Sequence, residues 1–375
     1  MRNILKEKLE KLPFGIGYRI INILTMRRFL TKRGITDIFI VQRKRRLERE
    51  ESIRIKAAIA KHSFKKIILV YDNLSSGPTY GDYIYALMMA RYFLAFDMPV
   101  LFYIVNGDNK HGWGYLDKAA SDFHIEEQIF LANTFLNNPL VTIEKIVWSD
   151  MTMLLEDASK KEYLIPFEKQ VKEREKVVAY FYTTLSHLLS DSKSYVLDRF
   201  LLSFEEIKKN VEQVSGVNMS FPLAPYITFA CRYSTLWGEE RNTTEVEFVL
   251  FINYLKRLYP GHQIMVISDS LGCEYFKKIA QKNNITCLYC KDYTHSFMED
   301  AVMVLGSKFY FQFKGGGMGV VPLFSRLPYE FIQKMMLETM WSKDRATPWA
   351  DEDQLFINMV RLDKHYLNKG KIKYR

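Results

Sequence analysis

A run of glycines between two apolar segments is the feature of the sequence that most clearly points to chemistry. The segment reads FQFKGGGMGV and supplies Lys314, Gly315, Gly316, Gly317, Met318 and Gly319. Glycine lets a backbone approach a ligand closely, and the unpaired N–H groups at the start of a following helix attract phosphate. The spacing matches neither the Walker motif nor the G-x-G-x-x-G fingerprint. We therefore predict a phosphate cradle here, with a tight turn as the alternative.

Two arginines stand at either end of a polar loop that follows the apolar segment YITFAC. Arg232 opens the loop, and Arg241 with Asn242 closes it before the next predicted helix. Residues just beyond the carboxyl ends of parallel strands face the ligand crevice of an open sheet. Since the planar guanidinium suits a diphosphate, we predict that these three residues contact one. Pairing of the arginines with Glu239 or Glu240, and an N-cap role for Asn242, are the alternatives.

Short polar side chains end a second predicted strand on the same side. Ser268, Asp269 and Ser270 follow the segment HQIMVI, and Glu299 lies near the start of a later helix. These side chains could bind the base or ribose of a nucleotide. The alternatives are that the first three cap the next helix and that Glu299 only complements the helix dipole.

A carboxylate in the first half of the chain is a candidate general base. Asp82 lies in GPTYGDYIYAL, at the start of a predicted helix that follows the first strand. A carboxylate at a helix start stays ionised and could deprotonate an acceptor hydroxyl, although capping of the helix is an equally common use of Asp. Asp72, Asp108 and His111 are weaker candidates, and His295 is the histidine nearest the predicted ligand loops of the second half.

The elements that must position these residues follow from hydrophobic patterning. In the first half, the apolar run IILVY is typical of a buried parallel strand, and a glycine-bearing loop, an apolar helix and a second strand, MPVLFYIV, follow it. This order makes a βαβ unit. Residues 120–220 are mostly helical in pattern, with the longest helix predicted over 166–189.

In the second half, four strand-like segments alternate with four helical ones, as in a doubly wound parallel sheet. A last helix is predicted over about 350–368. We predict an α/β fold with two Rossmann-like doubly wound domains that face a cleft. The predicted parts are a basic amphipathic helical arm at 1–64, an acceptor-side domain with a helical insertion at 65–220, a nucleotide-sugar-binding domain at 221–345 and a returning C-terminal helix at 346–375.

The basic charge of the chain is concentrated at its N-terminal end. Residues 1–66 hold 19 Lys and Arg against 6 Asp and Glu, so the positive surplus of this segment exceeds the net charge of +10 of the whole chain. Apolar residues in this part are interleaved with the cations, which favours a helix lying on an anionic membrane surface through residues 1–56. A packed basic arm is the alternative, and nucleic acid is an unlikely partner because no binding module accompanies the charge. We predict no membrane span and no signal peptide.

The cysteines and the missing motifs limit the cofactors to be expected. Four cysteines in a chain of 375 residues favour a reducing compartment over a disulfide framework. Cys287 and Cys290 have C-x-x-C spacing, but they lie in an apolar strand-like run without a second pair of metal ligands, so we interpret them as strand cysteines. The chain has no H-E-x-x-H or G-x-S-x-G motif. We therefore expect no metal and no cofactor.

Three segments in the second half together resemble a known family. They are ITFACRYSTLWGEERNTTEVEF, ISDS, and SFMEDAVMVLGSKFYFQFKGGGMGVVPLFSRLPY, and GDYIYAL in the first half adds a weaker match. This order resembles the C-terminal domain of bacterial GT-B glycosyltransferases that build surface polysaccharides such as O-antigen or capsule. The groups in question are the inverting, metal-independent heptosyltransferase-like and fucosyltransferase-like enzymes.

The resemblance implies a role for each matching position. Arg232 and Arg241 would face the donor diphosphate, and Ser268, Asp269 and Glu299 would face the nucleoside. The segment from Lys314 to Gly319 would face the phosphates or the sugar, and Asp82 would be the base.

These observations lead to three functional hypotheses. The first is a glycosyltransferase that moves a sugar from a nucleotide-sugar donor to a lipid-linked or glycan acceptor, in the cytoplasm at the inner face of the cell membrane. The second is a sugar-nucleotide epimerase on the same scaffold, which would need no acceptor. The third is a non-catalytic, membrane-associated protein that binds sugar nucleotides or polyanions.

Overall fold

A computed structural model gives the fold over most of the chain. The described residues are 32–76, 79–106, 118–158, 162–190, 192–235, 242–313, 316–333 and 354–358. The predictions that fall outside these ranges concern residues 1–31 of the arm, Asp108, His111, Arg241, Lys314 and Gly315. The boundary between two compact units follows Ile53.

The first half of the chain forms a parallel sheet of four strands in the order β3-β2-β1-β4. The strands are β1 (Lys66–Asp72), β2 (Val100–Val105), β3 (Val141–Ile146) and β4 (Tyr163–Leu164). The helices are α1 (Lys32–Lys61), α2 (Asn73–Ser76), α3 (Tyr80–Leu94), α4 (Lys118–Phe135), α5 (Trp148–Ala158), α6 (Glu168–Lys172), α7 (Val178–Leu189), α8 (Ser194–Phe200) and α9 (Phe204–Ser215). We call this sheet the N-terminal sheet.

Helix α3 is the centre of the N-terminal half. Its sequence YGDYIYALMMARYFL is apolar on nearly every side after the first turn, and its residues from Tyr83 to Leu94 are buried with one exception, Tyr85, which is partly buried. A helix that is apolar all round belongs in a core rather than on a surface. Accordingly α3 contacts β1 and β2 on one side and α7 and α8 on another.

A buried arginine on α3 holds several helices together. The Arg91 guanidinium donates to the carbonyl oxygens of Phe135, Phe200 and Leu201 and makes two bonds of 2.6 and 2.7 Å to the Glu206 carboxylate. Its donors are thus satisfied by α4, by the end of α8 and by α9. A buried charge is tolerated in a core when it is paired and hydrogen-bonded in this way.

The second half forms a parallel sheet of six strands in the order β10-β9-β8-β5-β6-β7. The strands are β5 (Tyr226–Ala230), β6 (Gln263–Ile267), β7 (Leu288–Tyr289), β8 (Tyr310–Phe313), β9 (Tyr329–Gln333) and β10 (Gln354–Asn358). The helices are α10 (Glu245–Leu258), α11 (Ser270–Lys282), α12 (Phe297–Leu305) and α13 (Val320–Leu323), and 3-10 turns cover Cys290–Asp292 and Gly317–Gly319. We call this sheet the C-terminal sheet.

The predicted fold class, α/β with two doubly wound parallel sheets, is confirmed. Each predicted strand of the second half is present, and the order of the six strands reverses around β5, as in a doubly wound sheet. Within the described residues, no helix combines the length and the apolar character needed to cross a bilayer.

The prediction of a helix over about 350–368 is wrong for the residues of this range that the structure describes. Residues Gln354–Asn358 form β10, which pairs in parallel with β9 and places Gln354 opposite Tyr329. An edge strand without a partner exposes a row of backbone N–H and C=O groups. Pairing with β10 satisfies that edge of β9, and this long-range gain outweighs the helical pattern of the local sequence.

Two further helices are shorter than predicted. The helix over 166–189 is interrupted between α6 and α7, where Arg174 adopts a φ of 53°. A left-handed residue cannot continue a right-handed helix, and Arg174 is held there by two bonds of 2.9 Å to the Asp72 carboxylate. The helix predicted after the glycine run is reduced to a 3-10 turn and the four residues of α13.

Glu330 makes stability depend on pH. It is buried on β9, and burial raises its pKa to about 8 from an ordinary value of 4.5. Between these two values the folded chain binds a proton that the unfolded chain has released, so stability falls as the pH rises, by up to about 1.4 kcal/mol per pH unit.

We expect Glu330→Gln to flatten this fall in urea unfolding measured at about pH 5 and pH 8. The exposed Glu274→Gln is the control, and an unchanged pH dependence in Glu330→Gln would contradict the prediction.

Candidate functional site

The carboxyl ends of β5, β6 and β8 open into a cavity of about 400 Å³. Ala230, Ile267 and Gln312, at or next to the ends of these strands, lie in its wall. Small-molecule sites have volumes of roughly 300–1,000 Å³. Because the strands are parallel, the loops that follow them converge on this one edge. The predicted crevice therefore exists as a cavity large enough for a ligand.

The two halves of the chain both contribute to the lining. The C-terminal wall is formed by Arg232, Tyr233, Ser268, Asp269, Ser270, Lys291, His295, Ser296, Phe297, Asp300, Gly316, Gly317 and Met318, with the strand ends beneath them. The N-terminal wall is formed by Tyr80 and Glu127. Of the predicted residues that the structure describes, Asp82, Asn242, Glu299 and Gly319 lie outside this lining.

The two described ends of the loop after β5 are hydrogen-bonded to each other. Thr243 donates its N–H to the Arg232 carbonyl oxygen at 2.8 Å, and its hydroxyl accepts from the Arg232 N–H at 3.2 Å. Asn242 accepts from the Ser234 N–H and donates to the Ser234 carbonyl oxygen. The N-cap of α10 is Thr244, in a full capping box. Asn242 therefore joins the two described ends of the loop that follows Arg232, and it does not line the cavity. A diphosphate contact of Arg241, which lies outside the described residues, stays a prediction.

The predicted triplet after β6 lines the cavity while capping a helix. Asp269 is the N-cap of α11 and accepts the Gly272 N–H at 2.7 Å. The thiols of Cys273 and Cys290 both lie against the Ser268 carbonyl oxygen, at 3.5 and 3.3 Å, and their sulfurs are 3.9 Å apart. The carboxylate, the thiols and the helix thus hold this strand end rigidly at the cavity.

A lysine and an aspartate on the C-terminal wall were missed by the sequence analysis. Lys291 Nζ lies 2.6 Å from Asp300 Oδ2, and the Thr294 hydroxyl donates to the other oxygen of Asp300. Burial raises the pKa of the Asp300 carboxyl, although the Lys291 ammonium opposes the shift. Burial acts to lower the pKa of Lys291, but the Asp300 carboxylate raises it above its ordinary value. Lys291 is the second residue after β7, as Arg232 is after β5, and it directly follows the strand-like run that ends at Cys290, so the rule that selected Arg232 would have selected it as well.

Glu299 is engaged by the start of its own helix. Its carboxylate accepts the His295 N–H at 2.8 Å and the Ser296 hydroxyl at 3.0 Å, while Ser296 caps α12 by accepting the Glu299 N–H. These contacts engage the carboxylate at the start of its own helix, and a nucleoside-binding role for Glu299 stays a prediction. Ser296 and His295 themselves line the cavity, and of the two weaker candidates that the structure describes, Asp72 and His295, only His295 does.

Two glycines of the run, Gly317 and Gly319, are closely packed. Gly316 has a φ of 154°, which side chains rarely adopt. A Cβ on Gly317 would lie 3.3 Å from the Tyr80 Cβ and 3.4 Å from the Gly81 nitrogen, on α3. A Cβ on Gly319 would lie 2.4 Å from the Gln312 side-chain oxygen. The run thus lets the two halves of the chain meet beside the cavity.

Asp82 and Asp72 are both held by cations outside the cavity. Asp82, in the first turn of α3, lies 2.5 Å from Lys176 Nζ. Asp72, at the end of β1, accepts both bonds from Arg174, whose guanidinium also lies over the Trp148 ring at 4.2 Å. A catalytic role for Asp82 stays a prediction.

Comparison with known proteins gives the following. No protein-family model matches the chain, and no curated protein sequence matches it significantly. The glycosyl transferase family 9 protein from Veillonella parvula is similar in structure, with 10% identity, a TM-score of 0.46, and coverage of 83% of this chain and 91% of that one. The E. coli ADP-heptose LPS heptosyltransferase II has 11% identity, a TM-score of 0.36, and coverage of 78% and 90%. A UDP-GlcNAc 2-epimerase from Neisseria meningitidis has 12% identity, a TM-score of 0.35, and coverage of 72% and 82%.

The packing at Gly319 generates a stability prediction. Its added Cβ would also lie 2.7 Å from the Phe331 ring, so Gly319→Ala should lower the free energy of unfolding by about 1–3 kcal/mol. Gly81→Ala is the matched control, because its nearest neighbours are 3.7 and 3.8 Å away and alanine suits a helix. Urea denaturation of both variants measures the effect. Equal stability of Gly319→Ala and the parent chain would show that the site can relax.

Proposed function

We propose that this protein is a glycosyltransferase that transfers a sugar from a nucleotide-sugar donor to a hydroxyl group of an acceptor. The observation that carries the proposal is a cavity whose two walls differ in chemistry. Its C-terminal wall offers Arg232, Lys291 and the starts of α11 and α12, while its N-terminal wall offers the carboxylate of Glu127. Transfer needs such an arrangement, because the donor phosphates require positive groups and the acceptor hydroxyl requires a base.

The donor fits the C-terminal wall. Arg232 can form two parallel hydrogen bonds to a diphosphate, and Lys291 adds a second cation. The N–H groups at the starts of α11 and α12 favour negative charge near Ser268, Asp269 and Ser270, so the phosphates belong between these elements. The nucleoside would then lie against the same polar triplet. Arg241, Lys314 and Gly315 are part of this proposal as further phosphate contacts outside the described residues.

The reaction is a displacement at the anomeric carbon. The acceptor hydroxyl approaches from the N-terminal wall and loses its proton as its oxygen bonds to the sugar, and the nucleoside diphosphate departs toward the C-terminal wall. Arg232, Lys291 and the N–H groups near Gly316 and Gly317 would stabilise the charge that develops on the leaving phosphate. One displacement inverts the anomeric configuration, and the proposal assigns no step to a metal or a cofactor.

The acceptor and the location form a further part of the proposal. Exposed Arg43, Arg45, Arg46 and Arg49 on α1 continue the basic composition of residues 1–31 into the described part of the chain. Clustered cations of this kind are attracted to anionic lipid headgroups. A lipid-linked glycan at the inner face of the cell membrane, of the sort used to build surface polysaccharide, would suit an enzyme held there.

Donor binding can be measured first. Nucleoside diphosphates should raise the melting temperature of the protein, whereas nucleosides without phosphate should not. Arg232→Gln should weaken nucleoside diphosphate binding by about 10- to 100-fold in calorimetry, since charge-assisted hydrogen bonds are lost. Exposed Arg257→Gln on α10 is the control for the loss of a positive charge. Equal affinity of Arg232→Gln and the parent chain would remove Arg232 from the donor site.

Turnover is tested by incubating the full chain with labelled nucleotide sugars and vesicles that carry bacterial lipid extract. We expect label to move to lipid, and the protein to sediment with anionic but not with neutral vesicles. Isomerisation of the nucleotide sugar without an acceptor would instead identify an epimerase. Binding of the nucleotide without any product would identify a non-catalytic protein.

A further inference from the structure

The N-terminal wall of the cavity presents one carboxylate. Among the described lining residues contributed by the N-terminal half, Tyr80 is the first residue of α3 and Glu127 lies in the second half of α4. The Glu127 side chain is 24% exposed, so it is neither locked in the core nor free in solvent. A ligand in the cavity would therefore lie between this carboxylate and the cations of the C-terminal wall.

The orientation of the Glu127 carboxylate is fixed on one side only. The Tyr80 hydroxyl donates to its Oε2, and His124 Nδ1 lies 3.7 Å from the same oxygen. Among the described residues, Oε1 has no hydrogen-bond partner. Burial raises the pKa of Tyr80, and the bond to Glu127 adds to that shift, so the phenol remains a donor. One carboxylate oxygen is thus anchored and the other is left to accept a proton.

The anchoring group is itself held between the two halves of the chain. The Tyr80 ring stacks on Phe297, with ring centroids 4.5 Å apart and an angle of 7° between the planes. Phe297 belongs to the C-terminal wall, next to the cap of α12. Stacked rings of this kind restrict the side chain to one rotamer. The position of Glu127 is therefore set relative to the wall on which we place the donor.

The other carboxylates near this edge of the N-terminal sheet are engaged elsewhere. Asp82 is paired with Lys176 and Asp72 with Arg174, and neither lines the cavity. Each of these carboxylates is therefore engaged by a cation outside the cavity lining. Glu127 is not paired with Lys or Arg among the described residues.

We propose that Glu127 is the general base of the transfer, with Tyr80 and His124 as its positioning residues; this rests on the glycosyltransferase function proposed above. As the acceptor oxygen bonds to the anomeric carbon, its proton passes to Glu127 Oε1. The bond from that carbon to the donor phosphate breaks, and its electron pair leaves on the nucleoside diphosphate. Atoms and charge balance without a further reactant.

The test compares Glu127→Gln with Glu126→Gln in the full chain. Glu126 is the exposed neighbour on the same helix, so Glu126→Gln removes the same charge at a position that does not line the cavity. We expect Glu127→Gln to lower kcat by about 10²- to 10⁴-fold, with the Kd for nucleoside diphosphate within about twofold of the parent. Glu126→Gln should match the parent in both.

A second variant separates positioning from folding. Tyr80→Phe keeps the stacked ring and removes the hydroxyl that anchors Glu127, so kcat should fall by roughly tenfold while the KM for donor and the melting temperature stay close to the parent values. A purely structural role of Tyr80 would change the melting temperature instead of kcat.

Two results would overturn the assignment in different ways. Turnover of Glu127→Gln at the parent rate, with loss of turnover in Asp82→Asn, would make Asp82 the base and leave the glycosyltransferase function standing. Absence of nucleoside diphosphate binding and of transfer by the parent chain would remove the proposed function and this assignment with it.

Discussion

The backbone contact between Gly317 and the start of α3 is the constraint on which the site depends. Gly317 approaches Tyr80 and Gly81 so closely that even a methyl group would be crowded. This contact closes one side of the cavity and brings the Tyr80 ring onto Phe297. A larger residue at Gly317 would press on α3, whereas a Cβ on Gly319 would meet Gln312 and Phe331 of its own half, and a Cβ on Gly316 would meet open space. Packing therefore accounts for Gly317 and Gly319.

Parallel strands explain why several of the residues predicted for the site lie around one cavity. Residues that follow strands of one parallel sheet meet at the same edge, and Arg232, Asp269 and the Gly316–Met318 segment do so around one cavity. Their individual roles were less predictable. Short polar side chains at helix starts can either cap the helix or bind a ligand. Asp269 accepts the backbone N–H of Gly272, and the Ser296 hydroxyl accepts that of Glu299, so both cap a helix. Local sequence shows that a cap is possible but not whether a ligand competes for it.

Contacts between distant residues set the limit of prediction. Tyr80 and Glu127 are 47 positions apart in the sequence. Lys176, which lies between α6 and α7, pairs with Asp82 in α3. No periodicity encodes such pairs, because each depends on how separate elements pack. The same holds for β10, where pairing with an unsatisfied strand edge overrides a helical pattern. Lys291 is a different case: it lies just beyond a strand that the sequence predicts, so the rule applied to Arg232 was sufficient to find it.

The distribution of hydrogen bonds over the two walls decides how charge could act in the cavity. On the C-terminal wall, Asp269 and Asp300 already accept bonds from a backbone N–H, a hydroxyl and an ammonium group. The Asp300 carboxylate offsets the positive charge of Lys291, so this wall does not hold a large surplus of positive charge. A diphosphate there would be recognised mainly by directed donors, namely the Arg232 fork and the N–H groups at the helix starts. Glu127, with one oxygen anchored and one open, faces these donors from the other side. In the proposed reaction, the direction from base to leaving group would therefore depend on these directed hydrogen bonds rather than on the net charge of either wall.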